Sequence, residues 1–240
     1  MKTILKLILP ILIALISMYF SGCIKERIVG NGNVINENRS SAAFSRIISS
    51  GDFLVTVVPD SVTSIKVEAE SNIVPYVNTG VNGNTVIIDF DAGVNIHEHS
   101  PIKVTLHTLH SEYLELQGSG NITSGNFTED DVQLYLSGSG NIMSSFIANT
   151  ISAGISGSGG ITLEGKARQA TMYISGSGNI SSLHLIQDIC NASIAGSGNV
   201  YINVIRKINA TISGSGSIFY LGNPSVESNI SGSGKVVKYQ

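Results

Sequence analysis

Tryptophan is absent from the chain, and Asp, Glu, Lys and Arg together make up only 13% of its 240 residues. The formal net charge is −3, and the 14 Lys and Arg residues form no basic stripe. That excludes the electrostatic footprint of a nucleic-acid-binding protein, so no nucleic-acid partner is expected. Only two cysteines occur, Cys23 and Cys190, too few for a disulfide-stapled scaffold. Long apolar runs are missing except for one, Leu7 to Phe20, which Pro10 and Ser17 interrupt. A run of that length is short for a membrane span of about 20 residues. The G-K-[ST] signature of a phosphate loop is missing too, and nowhere does a helix-forming pattern follow a glycine-rich turn.

The apolar run has the form of an export signal. Lys2 and Lys6 precede it, and it ends in Phe20-Ser21-Gly22-Cys23. Small residues directly before a cysteine resemble the lipobox of bacterial lipoproteins, in which the leader is cut before the cysteine and the cysteine is acylated; Phe20 stands where Leu is usual. This resemblance implies a signal peptide over residues 1–22, lipid attachment at Cys23 and a short tether over 23–29. Loss of Lys2 and Lys6 with the leader takes the net charge from −3 to −5. A lipid anchor of this kind holds a protein on a membrane without crossing it.

What the chain has in abundance is glycine, 26 residues, much of it in one tripeptide. Gly-Ser-Gly recurs seven times, as Gly118/Gly120, Gly138/Gly140, Gly157/Gly159, Gly176/Gly178, Gly196/Gly198, Gly214/Gly216 and Gly232/Gly234, at steps of 18 to 20 residues. Two residues before each first glycine stand Leu116, Leu136, Ile155, Ile174, Ile194, Ile212 and Ile230. Four before, the column is Leu114, Leu134, Ala153, Met172, Ala192, Ala210 and Ser228; six before, it is Glu112, Val132, Ile151, Ala170, Cys190, Ile208 and Val226. Residues between these columns are mostly polar or small, which is the period-two alternation of a strand with one buried face. Four residues after each first glycine, Ile122, Ile142, Ile161, Ile180, Val200, Ile218 and Val236 begin a second strand.

Gly-Ser-Gly therefore marks a corner between strands, where glycine permits positive φ and close approach of the neighbouring coil. A dinucleotide loop would need a third glycine where Thr123, Met143 and Thr162 stand, so no cofactor is assigned to these repeats. After the corner come Asn121, Asn141, Gly160, Asn179, Asn199, Ser217 and Lys235, which predict an amide ladder broken at Gly160 and Ser217. A period near 19 residues is too short for a propeller blade and fits one coil of a β-solenoid with three short strands per coil. Seven coils make a rod of roughly 35 Å. The spacing drifts from strict hexads, which favours an all-β, right-handed, single-stranded parallel β-helix.

Before the regular coils, residues 30–110 read as irregular coils and a cap, with regular coils over 111–240, all in one domain spanning 30–240. Ser50-Gly51 lies between two strands as a degenerate corner, Val81 to Asn84 reads as a hairpin turn, and the segment around Pro75 is too short for a helix. A cap is required because a bare solenoid end is an open strand edge; at the other end Lys235 and Lys238 supply charge against edge pairing.

The order GNGNVI, AFSRIISSGDFLVTV, KVEAESNIVPYV, PIKVTL, serial SGSGNI copies and YLGNPSVESNISGSGKVVK resembles the head GIN domain family of auto-transporter adhesins, found in lipoproteins and secreted proteins of Bacteroidetes. The resemblance covers Gly30 to Lys238 and implies a right-handed β-helix, no catalytic residues and an adhesive role.

Chemistry-bearing residues are sparse. His97, His99, His107 and His110 could pair as metal ligands, but Asp91 to Pro101 reads as a solvated loop, and no metal is assigned. Glu129 to Asp131 reads as a solvated insertion at a corner, and Cys190 as a small buried hydrophobe. Tyr113, Tyr135 and Tyr173 each lie an odd number of residues before a corner and so face outward; Gly154 separates the last two. The expectation is a non-enzymatic, lipid-anchored cell-envelope protein, on the outer membrane of a Gram-negative bacterium with the leaflet open, presenting its β-helix to a protein or glycan surface. A periplasm-facing structural or sensing module, and a glycan-active enzyme on a β-helix, are the alternatives.

The lipobox resemblance has a direct check. Cells fed an alkyne-tagged fatty acid should label the wild-type chain, and Cys23→Ala should abolish the label and shift the protein out of the detergent phase.

Overall fold

A computed structural model describes residues 26–97 and 99–239; the leader, Cys23, Glu98 and Gln240 lie outside the described residues. The irregular first part contains β1 (Glu26–Val29), β2 (Val34–Arg39), β3 (Arg46–Ser50), β4 (Leu54–Pro59), β5 (Ser64–Glu70), a single 3-10 turn at Val74–Tyr76, β6 (Val77–Asn82), β7 (Thr85–Phe90), β8 (Val94–His97) and β9 (Lys103–Thr108). β10 (Tyr113–Gly118) leads into five long strands: β11 (Asn121–Gly138), β12 (Asn141–Gly157), β13 (Gly160–Gly176), β14 (Asn179–Gly196) and β15 (Asn199–Gly214). β16 (Ile218–Leu221), β17 (Ser225–Gly232) and β18 (Val236–Lys238) complete the last coils. Among the described residues no helix is long and apolar enough to cross a membrane.

The long strands stack in parallel and in register, each residue facing the same column in the next coil: Leu136 meets Ile155, Ile155 meets Ile174, Ile174 meets Ile194 and Ile194 meets Ile212. The chain is thus a parallel β-solenoid. Where three short strands per coil are expected, each of the five coils β11–β15 is a single continuous strand between Gly-Ser-Gly corners, and only the last coil is divided, into β16 and β17. Register shifts between Thr123 and Asn126, Thr162 and Glu164, and Ser182 and Ile186 bend the strand without ending it. Such bulges turn a strand while pairing resumes on either side, so each of β11–β15 ends only at a glycine corner.

At that corner the coils touch backbone to backbone. Gly138 has φ +140° and lies so close to the coil below that a Cβ would stand 2.3 Å from the Gly118 carbonyl oxygen. The N–H groups of Ser139 and Gly140 both donate to that same oxygen, at 3.0 and 3.1 Å.

The two glycines of a corner divide the two expected roles, positive φ and close approach, between them. Only the first glycine adopts it, with φ between +126° at Gly232 and +147° at Gly157. The second glycines, Gly120, Gly140, Gly159, Gly178, Gly198, Gly216 and Gly234, do not take positive φ. Space alone excludes a side chain from them. A Cβ would stand 2.4 Å from the Phe53 carbonyl oxygen at Gly120, and 2.1 Å from the Gly140 oxygen at Gly159. The same contact is 2.5 Å at Gly178 against Gly159, and 2.0 Å at Gly198 against Gly178. It is 2.1 Å both at Gly216 against Gly198 and at Gly234 against Gly216. The ladder bends so sharply here that each second glycine lies over the coil below.

The amide ladder forms in two pieces. Asn141 donates to Asn121 at 3.3 Å and Asn199 to Asn179 at 3.3 Å, with Gly160 as the gap. At Ser217 the ladder continues in another form: its backbone N–H donates to the Asn199 side chain at 3.0 Å.

Inside, one apolar cluster runs from Ile28 to Ile218, built from the inward columns and from Phe44, Phe53, Val67, Ile73, Val74 and Val77 of the first part. Each fully buried Ile or Leu contributes on the order of 1.5–3 kcal/mol. β3 pairs with β10 and β4 with β11, so Ser50-Gly51 is an eighth corner at the base of the regular stack. β5 runs antiparallel between β2 and β9, and β6 antiparallel to β7, which ends the solenoid's parallel pairing on this side.

Two local expectations change. Val94 to His97 is a strand, β8, paired in parallel with β1, because Val94 and Ile96 alternate onto the core. Glu112 sits in an inward column but is exposed, its carboxylate accepting a hydrogen bond from the hydroxyl of Ser45, the residue beneath it, at 2.8 Å.

Gly138→Ala should destabilise the fold by about 2–3 kcal/mol or more, because it places a Cβ in a region of φ open essentially to glycine and against a backbone oxygen. Gly80→Ala, where a Cβ meets open space, should move the denaturation midpoint little; chemical denaturation of the two variants makes the comparison.

Candidate functional site

The outward columns of the strand segment before each corner form one flat face. Its middle column reads Ile48, Glu115, Tyr135, Gly154, Tyr173, Ser193, Thr211 and Asn229. The column nearest the corner is mostly serine: Ser50, Ser137, Ser156, Ser175, Ser213 and Ser231, with Gln117 and Ala195 between. The third column is Arg46, Tyr113, Gln133, Ser152, Thr171, Asn191, Asn209 and Glu227. Short hydroxyl and amide side chains cover most of the face, and the aromatic rings gather at its capped end.

Those rings form one continuous stack of tilted rings, with interplanar angles of 53° and 48°. Tyr113 and Tyr135 lie 5.6 Å apart between centroids, and Tyr135 and Tyr173 lie 6.2 Å apart. The second distance is shorter than two coils would place the rings, because Tyr173 leans across the empty position at Gly154. A Cβ on Gly154 would meet its ring at 2.0 Å. The Arg46 guanidinium stands over the Tyr113 ring at 3.9 Å, a cation–π contact closing the stack. The Tyr113 hydroxyl donates to Glu115 at 2.5 Å. Partial burial, then this hydrogen bond and the Glu115 charge, push the Tyr113 phenol well above its ordinary pKa; burial and the neighbouring Tyr135 raise that of Tyr173.

Beside the stack lies a groove of about 460 Å³ lined by Arg46, His110, Glu112, Glu129, Asp130, Asp131 and Gln133. Glu129 to Asp131 is not an insertion; Asp130 and Asp131 are solvent-exposed, as expected, but Glu129 is not. The segment runs within β11, and the Glu129 side chain, 6% exposed, accepts hydrogen bonds from the Ser111 N–H at 2.9 Å and meets His110 Nδ1 at 3.2 Å. Asp131 accepts from the Thr150 hydroxyl.

The histidines do not converge. His99 meets Asp52 at 3.1 Å, His107 meets Asp60 at 3.1 Å and His110 meets Glu129. Among the described residues no three His, Cys, Asp or Glu side chains are arranged to hold a metal ion. Near His99, the buried Glu70 carboxylate accepts from the Ser100 N–H and hydroxyl at 3.0 and 2.8 Å, and these bonds hold its pKa below the usual carboxylate range. Its other oxygen presses on Gly30, where a Cβ would stand 1.6 Å away, so Glu70 clasps the N-terminal loop. Cys190 lies wholly buried between Ala170 and Ile208, and burial pushes its thiol up to about 12.

The sequence columns place Tyr135 and Tyr173 on this face but leave Arg46 unnoticed. The signal was available: Arg46 stands five residues before Gly51, as Tyr113 stands five before Gly118.

Residues 43–224 match the sequence family described as "Putative auto-transporter adhesin, head GIN domain". The chain belongs to this family. Its fold is similar to a crystal structure of a putative adhesin from Bacteroides fragilis, at TM-score 0.84 and 22% identity over 88% of this chain and 100% of that one. A putative adhesin from Parabacteroides merdae gives TM-score 0.73 at 22% identity, covering 90% of this chain and all of that one, 100%. A protein described as a putative lipid binding protein, from Parabacteroides distasonis, gives 0.74 at 22% identity with coverages of 90% and 100%. At that identity the likeness is one of fold. No curated protein sequence matches the chain significantly.

The perturbed phenol makes the tyrosine stack measurable. Its folded pKa lies above the unfolded one, so its contribution to stability is present below the ordinary phenol range, about 10, and is lost as pH rises beyond it. In an ultraviolet titration, Tyr113→Phe should remove a phenol that ionises later than free tyrosine.

Proposed function

We propose that this family member is a non-enzymatic, lipid-anchored envelope protein that makes adhesive contacts through the flat outer face carrying Tyr113, Tyr135 and Tyr173, and that its partner is a glycan-bearing surface. The observation that carries the reading is the continuous tyrosine stack, built across Gly154, on a face otherwise covered by hydroxyl and amide groups. Aromatic rings with a polar edge supply large contact area at low entropic cost. Ser, Thr and Asn side chains in registered rows present donors and acceptors at the strand spacing, suited to a repeating hydroxylated chain. Ion pairs on the surface, such as Arg206–Asp188 at 3.1 Å, add little by comparison.

Family membership supports the adhesive role, and the descriptions of the Bacteroides and Parabacteroides relatives as adhesins agree with it. The lipid-binding description of the third relative finds no counterpart along the regular coils, whose interior is filled chiefly by Ile, Leu, Val, Ala, Met and Phe side chains. Acylation at Cys23 would put the capped end toward the membrane and the tyrosine face along the side of the rod.

Glycan-array and whole-cell binding by the purified chain test the face. Replacing both Tyr135 and Tyr173 by Ala should weaken binding by about tenfold, on the order of 1.4 kcal/mol, while Ser193→Ala on the same face should have little effect. Protease shaving of intact cells, with a tag after Gln240, reads out the location. Loss of the tag with a periplasmic control intact supports surface display, and full protection with cleavage after detergent opening turns the reading to a periplasm-facing module.

A further inference from the structure

In the regular coils each inward column is covered by a coil on either side, and Ile208, Ala210 and Ile212 of β15 are buried. β17 continues those columns with Val226, Ser228 and Ile230, paired to β15 in register. Among the described residues nothing covers them on the far side: Val226 is 37% exposed, Ile230 is 40% exposed, and every residue of β17 is exposed. Among the described residues β17 pairs with β15 alone, so its outer edge presents unpaired backbone N–H and C=O groups. This is the situation that β-proteins normally avoid, an apolar rim on an open strand edge. Lys238, one of the charges near that rim, is already engaged by Asn223 at 2.6 Å.

The sequence of β17 indicates what fits there. Ser225-Val226-Glu227-Ser228-Asn229-Ile230-Ser231 reads nearly the same in both directions about Ser228. Antiparallel pairing of two copies centred on Ser228 sets Val226 against the partner's Ile230, Glu227 against the partner's Asn229 and Ser225 against the partner's Ser231. The apolar residues then meet on the inward side and close both cores. Glu227 faces an amide rather than a second carboxylate. A register centred on Glu227 would oppose two carboxylates, and a one-residue slip would set inward side chains against outward ones. At the opposite end the outermost strands, β2 and β6, do not repeat the near-palindrome of β17 or continue its inward columns, so the matching surface is another β17 and the symmetry is two-fold.

We propose that the β17 rim is a self-association surface and that two copies of this chain pair tail to tail through antiparallel β17 strands centred on Ser228. The dimer places the two capped ends, and with them the tethers, at opposite poles of one longer rod. Copies held on facing membranes are then joined tip to tip; that last consequence rests on the anchor proposed above, whereas the dimer itself does not.

Sedimentation velocity on residues 26–240, which contain the whole apolar cluster, tests the dimer without any lipid or ligand. The expected result is a concentration-dependent monomer–dimer equilibrium. Replacing Val226 and Ile230 together by Asp should weaken it by about a hundredfold or more, since unpaired charges would be buried. Both sites are exposed in the single chain, so an unchanged circular dichroism spectrum and midpoint should show that the fold persists. Mild oxidation of Ser228→Cys should give a disulfide-linked dimer, because residues directly opposite across an antiparallel pair come within reach of a disulfide. Ser193→Cys, in an outer column of a covered coil, should not cross-link. A protein that stays monomeric at all concentrations would overturn the proposal. So would a dimer indifferent to the Asp substitutions whose Ser228→Cys form does not cross-link.

Discussion

Coils can stack at the strand spacing of about 4.8 Å only because nothing larger than hydrogen stands at the corner. Gly138 and Gly140 each lie within 2.3 Å, measured from where a Cβ would be, of a carbonyl oxygen in the coil below. From the corner at Gly138 onward, two N–H groups of each corner donate to the carbonyl of the preceding corner's first glycine, so the corners form a column of backbone hydrogen bonds. That column sets the register of everything attached to it. With the corners aligned, residues two and four positions upstream must superpose from coil to coil, and apolar residues there fuse into one buried cluster. A wider corner would separate the coils and leave both the core and the amide ladder unmade.

The same register makes the outer face. A regular solenoid converts a linear repeat into columns, so any departure from the consensus at an outward position becomes a local surface feature. Tyrosine at two positions of the middle column, with glycine between them, yields a continuous aromatic stack because the vacant site lets Tyr173 lean toward Tyr135. Arg46 and Tyr113 extend it onto the first, irregular coil. The chemical character of the surface thus comes from substitutions in a few columns, while the corner and core positions carry stability.

The two ends of the rod are built differently, for one physical reason. Parallel pairing leaves a strand edge wherever it stops. On the N-terminal side antiparallel strands terminate the stack, and apolar residues such as Val67, Ile73 and Val77 are buried beneath them. On the β17 side the inward columns simply continue and are left uncovered.

The sequence alone determined the corners, the inward columns and the period, because each depends on residue type at a fixed offset from a glycine. It also marked the interruption of the amide ladder at Gly160, where no side chain exists to bond. Which glycine of a corner turns the chain and which only makes room was not readable, since both carry the same residue type. Contacts between positions far apart in the chain were hidden as well. β8 escaped notice because its two core residues, Val94 and Ile96, are flanked by polar ones and its partner β1 lies near the start of the chain. Glu129 looked solvated because its donors, the Ser111 N–H and His110, reach it from the neighbouring coil. The 6.2 Å approach of Tyr135 and Tyr173 depends on a ring leaning over the one unoccupied position between them, at Gly154, which no offset reveals. Periodicity fixes which face a side chain takes; only the folded stack decides what it meets there, because those neighbours arrive from other coils.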